Sequence, residues 1–120
     1  SGTAVAAHPQ SSTVREASRA FNTHRVADVS TGYLEPSDLR LLERAECPTR
    51  FAITDDGAGT FHWVTADREM FEGEMSRTAA FGLSDRFRLI MRRLREAGIP
   101  YVRFDADGGE IASIDRRDTA

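Results

Sequence analysis

The sequence predicts an α+β domain of the ferredoxin-like (split β-α-β) class, an antiparallel sheet with two helices on one face and an extra C-terminal strand. Two observations support this class. Strand-like and helix-like patterns follow one another in the order β-α-β-β-α-β. The two central strand patterns are separated only by turn residues, as in a hairpin. A right-handed crossover then places the last strand of this order beside the first.

Length and composition are those of one folded domain. The chain has 120 residues, of which 40% are hydrophobic and 29% charged, which is enough for a core without disulfide or metal staples. We expect a disordered N-terminal arm at 1–12, a single domain at 13–114 and a flexible tail at 115–120. The opening residues have neither a basic start nor an apolar block, and Cys47 is the single cysteine. Both features favour a cytoplasmic protein.

The segment after the N-terminal arm is predicted to be a short amphipathic helix. Thr13 and Glu16 have the spacing of a capping box, which marks a helix start. An apolar stripe follows at helical intervals, formed by Val14, Ala17 and Phe21. Such a helix either packs back on the domain or serves as an arm for a partner.

A strand and a second helix come next. The stretch 25–33, RVADVSTGY, is rich in β-branched residues and ends in a turn, as strands do. The stretch 34–47 is predicted to be helical, with proline in its first turn and acidic residues where the helix dipole favours them. Its predicted inward stripe consists of Leu39, Leu42 and Ala45. Cys47, at the end of this helix, is predicted to be a buried structural residue, because the dipole there disfavours a thiolate.

The stretch 49–65 has the clearest β-hairpin pattern of the chain. Alternating aromatic and aliphatic residues flank the turn sequence DDGAG. In the following segment, 66–83, no period dominates, and we expect one helical turn near 67–74 followed by a loop.

The last helix and strand are strongly marked. Ser84 suits a helix N-cap and Gly98 the position after the helix C-terminus, so the sequence predicts a helix over 84–98. The stretch YVRFD then alternates like a strand, and EIASI is a second arm after a turn. Between them lies Asp105-Ala-Asp107-Gly-Gly, a good turn sequence that also resembles a carboxylate cluster.

The helix over 84–98 contains a line of arginines, Arg88, Arg92 and Arg95, with Leu89 pointing away from the core. All sixteen basic residues of the chain are arginine, and the net charge is −3. One interpretation is an anion-binding strip for an acidic protein surface or for phosphate backbone. The other is a solvated helix face stabilised by local ion pairs. Since 84–98 is basic and 66–76 is acidic, the surface is polarised, which favours a specific partner.

A metal site is the weaker alternative. Its candidate ligands are Asp105, Asp107 and His62, since residues two apart on a strand point to the same face. We expect the helices to cover the face of Trp63, which places His62 on the open side of the sheet. The spacing of a calcium loop is missing, and the turn interpretation is preferred. The sequence therefore predicts no cofactor.

Two short motifs resemble an uncharacterised family of small bacterial proteins carried on plasmids and integrative elements. They are VSTGYL, with its ST-x-x-L pattern before an acidic helix, and the FD-x-DG pattern of FDADG after the last helix. The resemblance covers 28–114. The ending SIDRRDTA departs from the aromatic, Leu-Pro-containing tail that the resemblance leads us to expect. The resemblance implies a mobile-element accessory protein, a class that often binds host machinery, and assigns no activity to any residue.

These observations predict a non-enzymatic binding protein that acts by protein–protein contact through Arg88, Arg92, Arg95 and Leu89. Two alternatives stay open: a small metal-dependent hydrolase using Asp105 and Asp107, and a nucleic-acid-binding domain using the helix at 84–98. We expect a protein partner and no membrane partner. A homodimer through the open sheet face is a further possible assembly.

Overall fold

A computed structural model describes residues 24–110 of the chain. Within that range, four strands and three helices alternate in the order β1, α1, β2, β3, α2, α3, β4, with a short 3₁₀ turn at Thr31–Tyr33. The elements are β1 (Val26–Ser30), α1 (Pro36–Leu42), β2 (Arg50–Ile53), β3 (Gly59–Trp63), α2 (Arg68–Phe81), α3 (Asp85–Glu96) and β4 (Tyr101–Asp105). The predicted α+β class is confirmed. The predicted helix that begins at Thr13 lies outside the described residues.

The strands form one sheet in the order β1-β4-β3-β2. The last strand lies beside the first, as the crossover argument predicts, and Val29 is paired with Phe104 in a parallel register. The other two pairs, β4 with β3 and β3 with β2, are antiparallel. The sheet is therefore mixed, and not wholly antiparallel as the sequence suggested.

The hairpin of β2 and β3 confirms the prediction for 49–65. The carbonyl of Gly59 accepts from the Thr54 N–H at 2.9 Å, which closes the loop. Asp56 accepts from the Thr54 hydroxyl at 2.6 Å and from the Ala58 N–H at 3.0 Å, while Gly57 takes a φ of 72°. The loop residues thus fulfil the turn chemistry expected of DDGAG. A bulge in β2, between Arg50 and Ala52, shifts the register at the other end.

The expectation of one helical turn and a loop over 66–83 is wrong, because α2 runs unbroken from Arg68 to Phe81. The Asp67 side chain caps its start by accepting from the Met70 N–H, and Gly82 ends it with a φ of 110°. The helix buries Phe71, Met75 and Thr78. These residues lie at helical intervals, but the surrounding polar residues hide the stripe in the sequence.

Helix α1 is shorter than predicted and turns a different face inward. It ends at Leu42, and the Arg50 guanidinium donates to the carbonyl oxygen of Glu43 at 2.9 Å, just past this end. Leu42 is buried as predicted, whereas Leu39 and Ala45 are exposed. The prediction assumed a helix to residue 47, and the earlier end removes Ala45 from the stripe. Helix α3 matches its prediction, with Ser84 capping its start.

The chain does not form a hairpin with β4 after Asp105. The turn is present, since the carbonyl of Asp105 accepts from the Gly108 N–H at 3.0 Å. Gly109 then forms a parallel bridge with Val29 of β1. Both edges of β4 are already paired, with β1 and β3, so no edge is left for a returning arm. The predicted extra strand otherwise lies beyond residue 110, outside the described residues.

The two motifs of the resemblance pack against each other at this turn. A Cβ atom on Gly108 would lie 2.3 Å from the backbone carbon of Val29 and 2.5 Å from the nitrogen of Ser30. Only glycine leaves room for so close a backbone approach. The ST-x-x-L segment and the FD-x-DG segment therefore form one structural unit, which joins the start and the end of the domain.

All three helices contribute to one core, on one face of the sheet. Phe87, Ile90 and Met91 of α3 are fully buried there. The sheet contributes alternate residues of its strands, such as Val102 and Phe104 of β4. The opposite face has no described helix over it, and it is the face on which the candidate site lies.

Candidate functional site

The open face of the sheet presents a cluster of aromatic rings. The cluster, which we call the aromatic face, consists of Phe51, Phe61, Trp63 and Tyr101. Trp63 is 45% exposed and Phe51 42% exposed. Their ring centroids are 4.3 Å apart, and Tyr101 lies 5.3 Å from Trp63. Four neighbouring rings on three strands thus form a contiguous apolar surface, of the kind that marks interaction sites.

Local structure positions these rings. Trp63 and Tyr101 are directly paired across β3 and β4, so they point to the same side. Phe51 is at the bulge of β2, and its ring centroid lies 6.0 Å from that of Phe61. A bulge places two successive residues opposite one residue of the neighbouring strand and re-aims their side chains. It is therefore the bulge that brings Phe51 over the centre of the cluster.

An ion pair borders the aromatic face. The Arg103 guanidinium donates to both carboxylate oxygens of Asp28, at 3.0 and 2.7 Å. The hydrogen bond and the charge of Asp28 raise the pKa of Arg103. Arg103 is paired with Phe61 in the sheet, so this polar pair is directly beside the rings. It offers one donor group and one acceptor group at the rim of an apolar surface.

The prediction that His62 lies on the open side is wrong. His62 is fully buried beneath the helices, with its ring centroid 5.4 Å from that of Phe104. Its Nδ1 is 2.9 Å from the Thr49 hydroxyl and its Nε2 is 2.9 Å from the Thr60 hydroxyl. Burial, and secondarily the charge of Arg50, lower the pKa of His62 to about 3. The imidazole is therefore neutral and structural, because both of its nitrogens already have partners.

The three candidate metal ligands are not brought together. Asp105 accepts from the Asp107 N–H at 2.8 Å, as expected of a turn. His62 faces the helices in the core, while Asp105 follows Phe104 on the strand and so points to the other side of the sheet. Among residues 24–110 there is no group of three or more His, Cys, Asp or Glu side chains that could hold a metal ion.

Two arginines of the predicted strip, Arg92 and Arg95, are engaged within the domain. Arg92 donates to Glu72 of α2 at 2.5 Å, and this contact lowers the pKa of Glu72. Arg95 donates to the carbonyl oxygen of Ala66 at 3.2 Å. The guanidinium carbons of Arg92 and Arg95 also lie 5.7 and 5.5 Å from the centroid of the Phe71 ring. The acidic and basic segments noted in the sequence therefore face each other.

The remaining members of the predicted strip differ from one another. Arg88 donates to the carbonyl oxygen of Leu83 at 2.7 Å and to Asp85 at 2.5 Å, and its side chain is 16% exposed. Leu89 is 38% exposed, so it points away from the core as predicted. Partner binding through Arg88, Arg92, Arg95 and Leu89 stays a prediction. Arg92 and Arg95 contact α2 through Glu72 and the Phe71 ring, whereas the described contacts of Arg88 are with its own helix and the preceding residue Leu83.

Cys47 is buried, as predicted. Burial raises the pKa of its thiol, which keeps the sulfur protonated and unreactive. Sequence reasoning thus identified a structural cysteine, but it missed the aromatic face. The signal was present, since Thr60, His62 and Val64 alternate with Phe61 and Trp63. Alternation separates the two faces of a strand without saying which face is covered.

Comparison with known proteins identifies a family without an assigned activity. The model described as "Family of unknown function (DUF5983) C-terminal domain" matches residues 26–116. Neither the curated proteins nor the solved structures contain a significant match. Within residues 24–110, no helix combines the length and the hydropathy that crossing a bilayer requires.

Proposed function

The chain belongs to this family of unknown function, DUF5983, and we propose that it is a non-enzymatic interaction protein whose contact surface is the aromatic face. The occupant we propose is one apolar segment, about the size of a helix, presented by a partner protein. The observation that supports this function is the exposure of Trp63 (45%) and Phe51 (42%) side by side on an uncovered sheet. Such rings lose solvent contact when a partner binds, and that loss drives association.

The chemistry of the aromatic face suits protein recognition. Tryptophan and tyrosine, together with arginine, are enriched among the few residues that dominate binding energy. They bury a large area with only two rotatable side-chain bonds, so ordering them on binding costs little entropy. The Trp63 ring contacts both Phe51, at 4.3 Å, and Tyr101, at 5.3 Å, and these two rings contact each other, so Trp63 is held in place before any partner arrives.

The size of the face favours one segment over a folded domain. Strands of about five residues at ~3.4 Å per residue are ~17 Å long, and three strand spacings of ~4.8 Å span about 14 Å. The resulting area of roughly 240 Å² is well below the ~800 Å² that each partner buries in a standard interface. A single helix, ~10 Å across, covers such a face. The Asp28–Arg103 pair at its rim supplies the polar groups that orient the segment.

A mobile-element setting is part of the same proposal. The ST-x-x-L and FD-x-DG motifs support it by their resemblance to proteins of plasmids and integrative elements. Small accessory proteins of such elements often act on host machinery, and we propose a host protein as the partner. The contact itself is made by the aromatic face, and the joined motifs serve the fold beneath it.

The proposal is tested by photo-crosslinking in cells of the source organism. A photoreactive phenylalanine analogue replaces Phe51 in the full chain, and the same analogue replaces Met70, which is 62% exposed on α2, as the matched control. We expect the adduct at position 51, and not the one at position 70, to map to an apolar segment of one host protein. Adding Trp63→Ser should lower the yield of that adduct at least tenfold.

Three results would overturn this assignment. They are adducts at position 51 only within the chain or between its copies, no adduct at all, and an adduct that Trp63→Ser leaves unchanged. The same crosslinking experiment in a protein that also carries Arg88→Glu and Arg92→Glu tests whether α3 makes the contact. If these arginine substitutions abolish the crosslinked partner while Trp63→Ser does not, and the fold is intact, the contact surface would be α3 and not the aromatic face.

A further inference from the structure

The described chain begins beside the aromatic face. The His24 ring lies 5.6 Å from the ring of Tyr101, edge to face, so residue 24 is already at the rim of the cluster. Val26 is paired with Tyr101 in the sheet and is 51% exposed. Whatever precedes residue 24 therefore leaves the domain next to uncovered aromatic rings.

We propose that residues 13–23 of the same chain cover the aromatic face as an amphipathic helix. The capping-box spacing of Thr13 and Glu16 defines its start. Val14, Ala17 and Phe21 form its apolar stripe, which faces the rings, while Arg15 and Arg19 remain in water. This segment supplies what the open sheet lacks, an apolar helix face for its second side.

The dimensions of the two surfaces match. A helix of about 11 residues is ~16 Å long and ~10 Å across, whereas the sheet face is ~17 Å long. A second copy of the domain would bring a face of only roughly 240 Å², too small for a stable dimer by itself. The area of the face therefore favours a single helix over a second domain.

The connection is short enough to hold the segment in place. Phe21 precedes His24 by three positions, so their Cα atoms are at most ~11 Å apart. The ring of Tyr101 lies 5.6 Å from that of His24 and 5.3 Å from that of Trp63. A tether this short gives an effective concentration in the millimolar range. The attached segment therefore outcompetes any free second copy at ordinary protein concentrations.

The consequence is regulation of the interaction surface, and this part of the inference rests on the proposed function. A partner must displace the segment before it reaches Trp63. Its apparent affinity is the intrinsic affinity multiplied by the fraction of molecules in which the face is open. Loss or weakening of the segment should therefore strengthen partner binding.

The single tryptophan of the chain is a direct probe, since Trp63 belongs to the aromatic face and contacts Phe51 and Tyr101. The experiment compares acrylamide quenching of its fluorescence in the full chain, in Phe21→Ser and in Arg19→Ser. Arg19 lies on the opposite side of the same predicted helix and is the matched control. We expect the quenching constant to rise roughly twofold in Phe21→Ser, as the open state becomes populated, and to stay at the wild-type value in Arg19→Ser.

Three different outcomes of the quenching experiment would each overturn the inference. Equal quenching in all three proteins would mean that the segment does not cover Trp63. Protection of Trp63 that disappears on dilution would assign the cover to a second copy. Equal increases in both variants would exclude a specific apolar contact.

Failure of this inference is distinguishable from failure of the proposed function. If Phe21→Ser exposes Trp63 but no host protein crosslinks at position 51, the segment covers the face and the partner proposal fails. If a host protein crosslinks but Phe21→Ser leaves quenching unchanged, the partner proposal stands and the proposal that residues 13–23 cover the face fails. When both hold, Phe21→Ser should raise the yield of the crosslinked partner.

Discussion

The polarity of His62 and Trp63 suggests that the tryptophan face of the sheet is the covered one, but the structure has the reverse. On β3, His62 is fully buried while its neighbour Trp63 is 45% exposed. The covered face accommodates a polar imidazole because two threonine hydroxyls, on Thr49 and Thr60, satisfy its nitrogens. The open face holds four aromatic rings that no described element covers. Hydrogen-bond partners and helix packing therefore decide which face is inside, more than the polarity of single residues does.

The largest effect should come from making the same substitution on each face. Phe104 is 1% exposed and contacts His62 and Phe87 in the core. Phe104→Ala should lower the free energy of unfolding by about 3–5 kcal/mol, because it removes a buried ring and leaves a cavity. Made in the Phe21→Ser background, in which the segment at 13–23 leaves the face, Phe51→Ala should cost only about 1 kcal/mol, since a ring that is 42% exposed has less burial to lose. Urea denaturation of both variants measures the difference.

Equal losses in the two variants would contradict this assignment of covered and open faces. If Phe104→Ala does not fold, Phe104→Leu preserves most of the volume and should still lose more stability than Phe51→Leu. Binding should show the reverse order. Phe51→Ala should impair capture of the partner, while Phe104→Leu should leave it intact.

A smaller effect should appear as a pH dependence that comes from the covered face. In the folded protein, burial lowers the pKa of His62 to about 3, whereas in the unfolded chain it is ~6.5. Only the unfolded state takes up the proton between these values. The contribution of His62 is therefore complete above pH 6.5 and is lost as the pH falls towards 3. The slope is about 1.4 kcal/mol per pH unit, or roughly 2 kcal/mol between pH 6.5 and 5.

The control for this slope is His62→Gln, which keeps a polar side chain but cannot titrate. Its stability at pH 7 should be lower than that of the wild type, because glutamine does not reproduce both threonine contacts. The gap between the two proteins should narrow as the pH falls from 6.5 to 5. A constant gap over this range would show that His62 is as accessible to protons in the folded state as in the unfolded one.

Much of the fold was predictable from local signals. The hairpin, helix α3 and strand β4 have strong turns, caps and periodicity, and each was found where the sequence placed it. Helix α2 was missed because only Phe71, Met75 and Thr78 are buried, and glycine and acidic residues lie between them. In the folded protein it packs against α3, where Arg92 and Arg95 lie over the ring of Phe71. That is a tertiary contact, which no local pattern contains.

The site was less predictable than the fold, for a geometric reason. Alternation on β3 identified the two faces of the strand. Which of them is covered depends on where the three helices pack and on where Thr49 and Thr60 lie relative to His62, and neither can be seen in the pattern of one strand. The arginine strip looked like a surface for a partner because its acidic counterpart, Glu72, lies 20 positions away in the chain. The fold brings these two helices together and pairs Arg92 with Glu72, a contact that the sequence pattern did not contain.

The smallest effect should come from the ion pair at the rim of the aromatic face. Arg103 and Asp28 are joined by two hydrogen bonds but remain in contact with water. Such exposed pairs contribute little to stability, because solvent and salt screen them. Arg103→Gln should therefore leave the urea midpoint within the scatter of repeat measurements, at both low and high salt. In the crosslinking experiment the same variant should shift where the bound segment is labelled, since the pair orients that segment. A large loss of stability in Arg103→Gln would assign the pair to the fold, and unchanged labelling would remove it from the binding face.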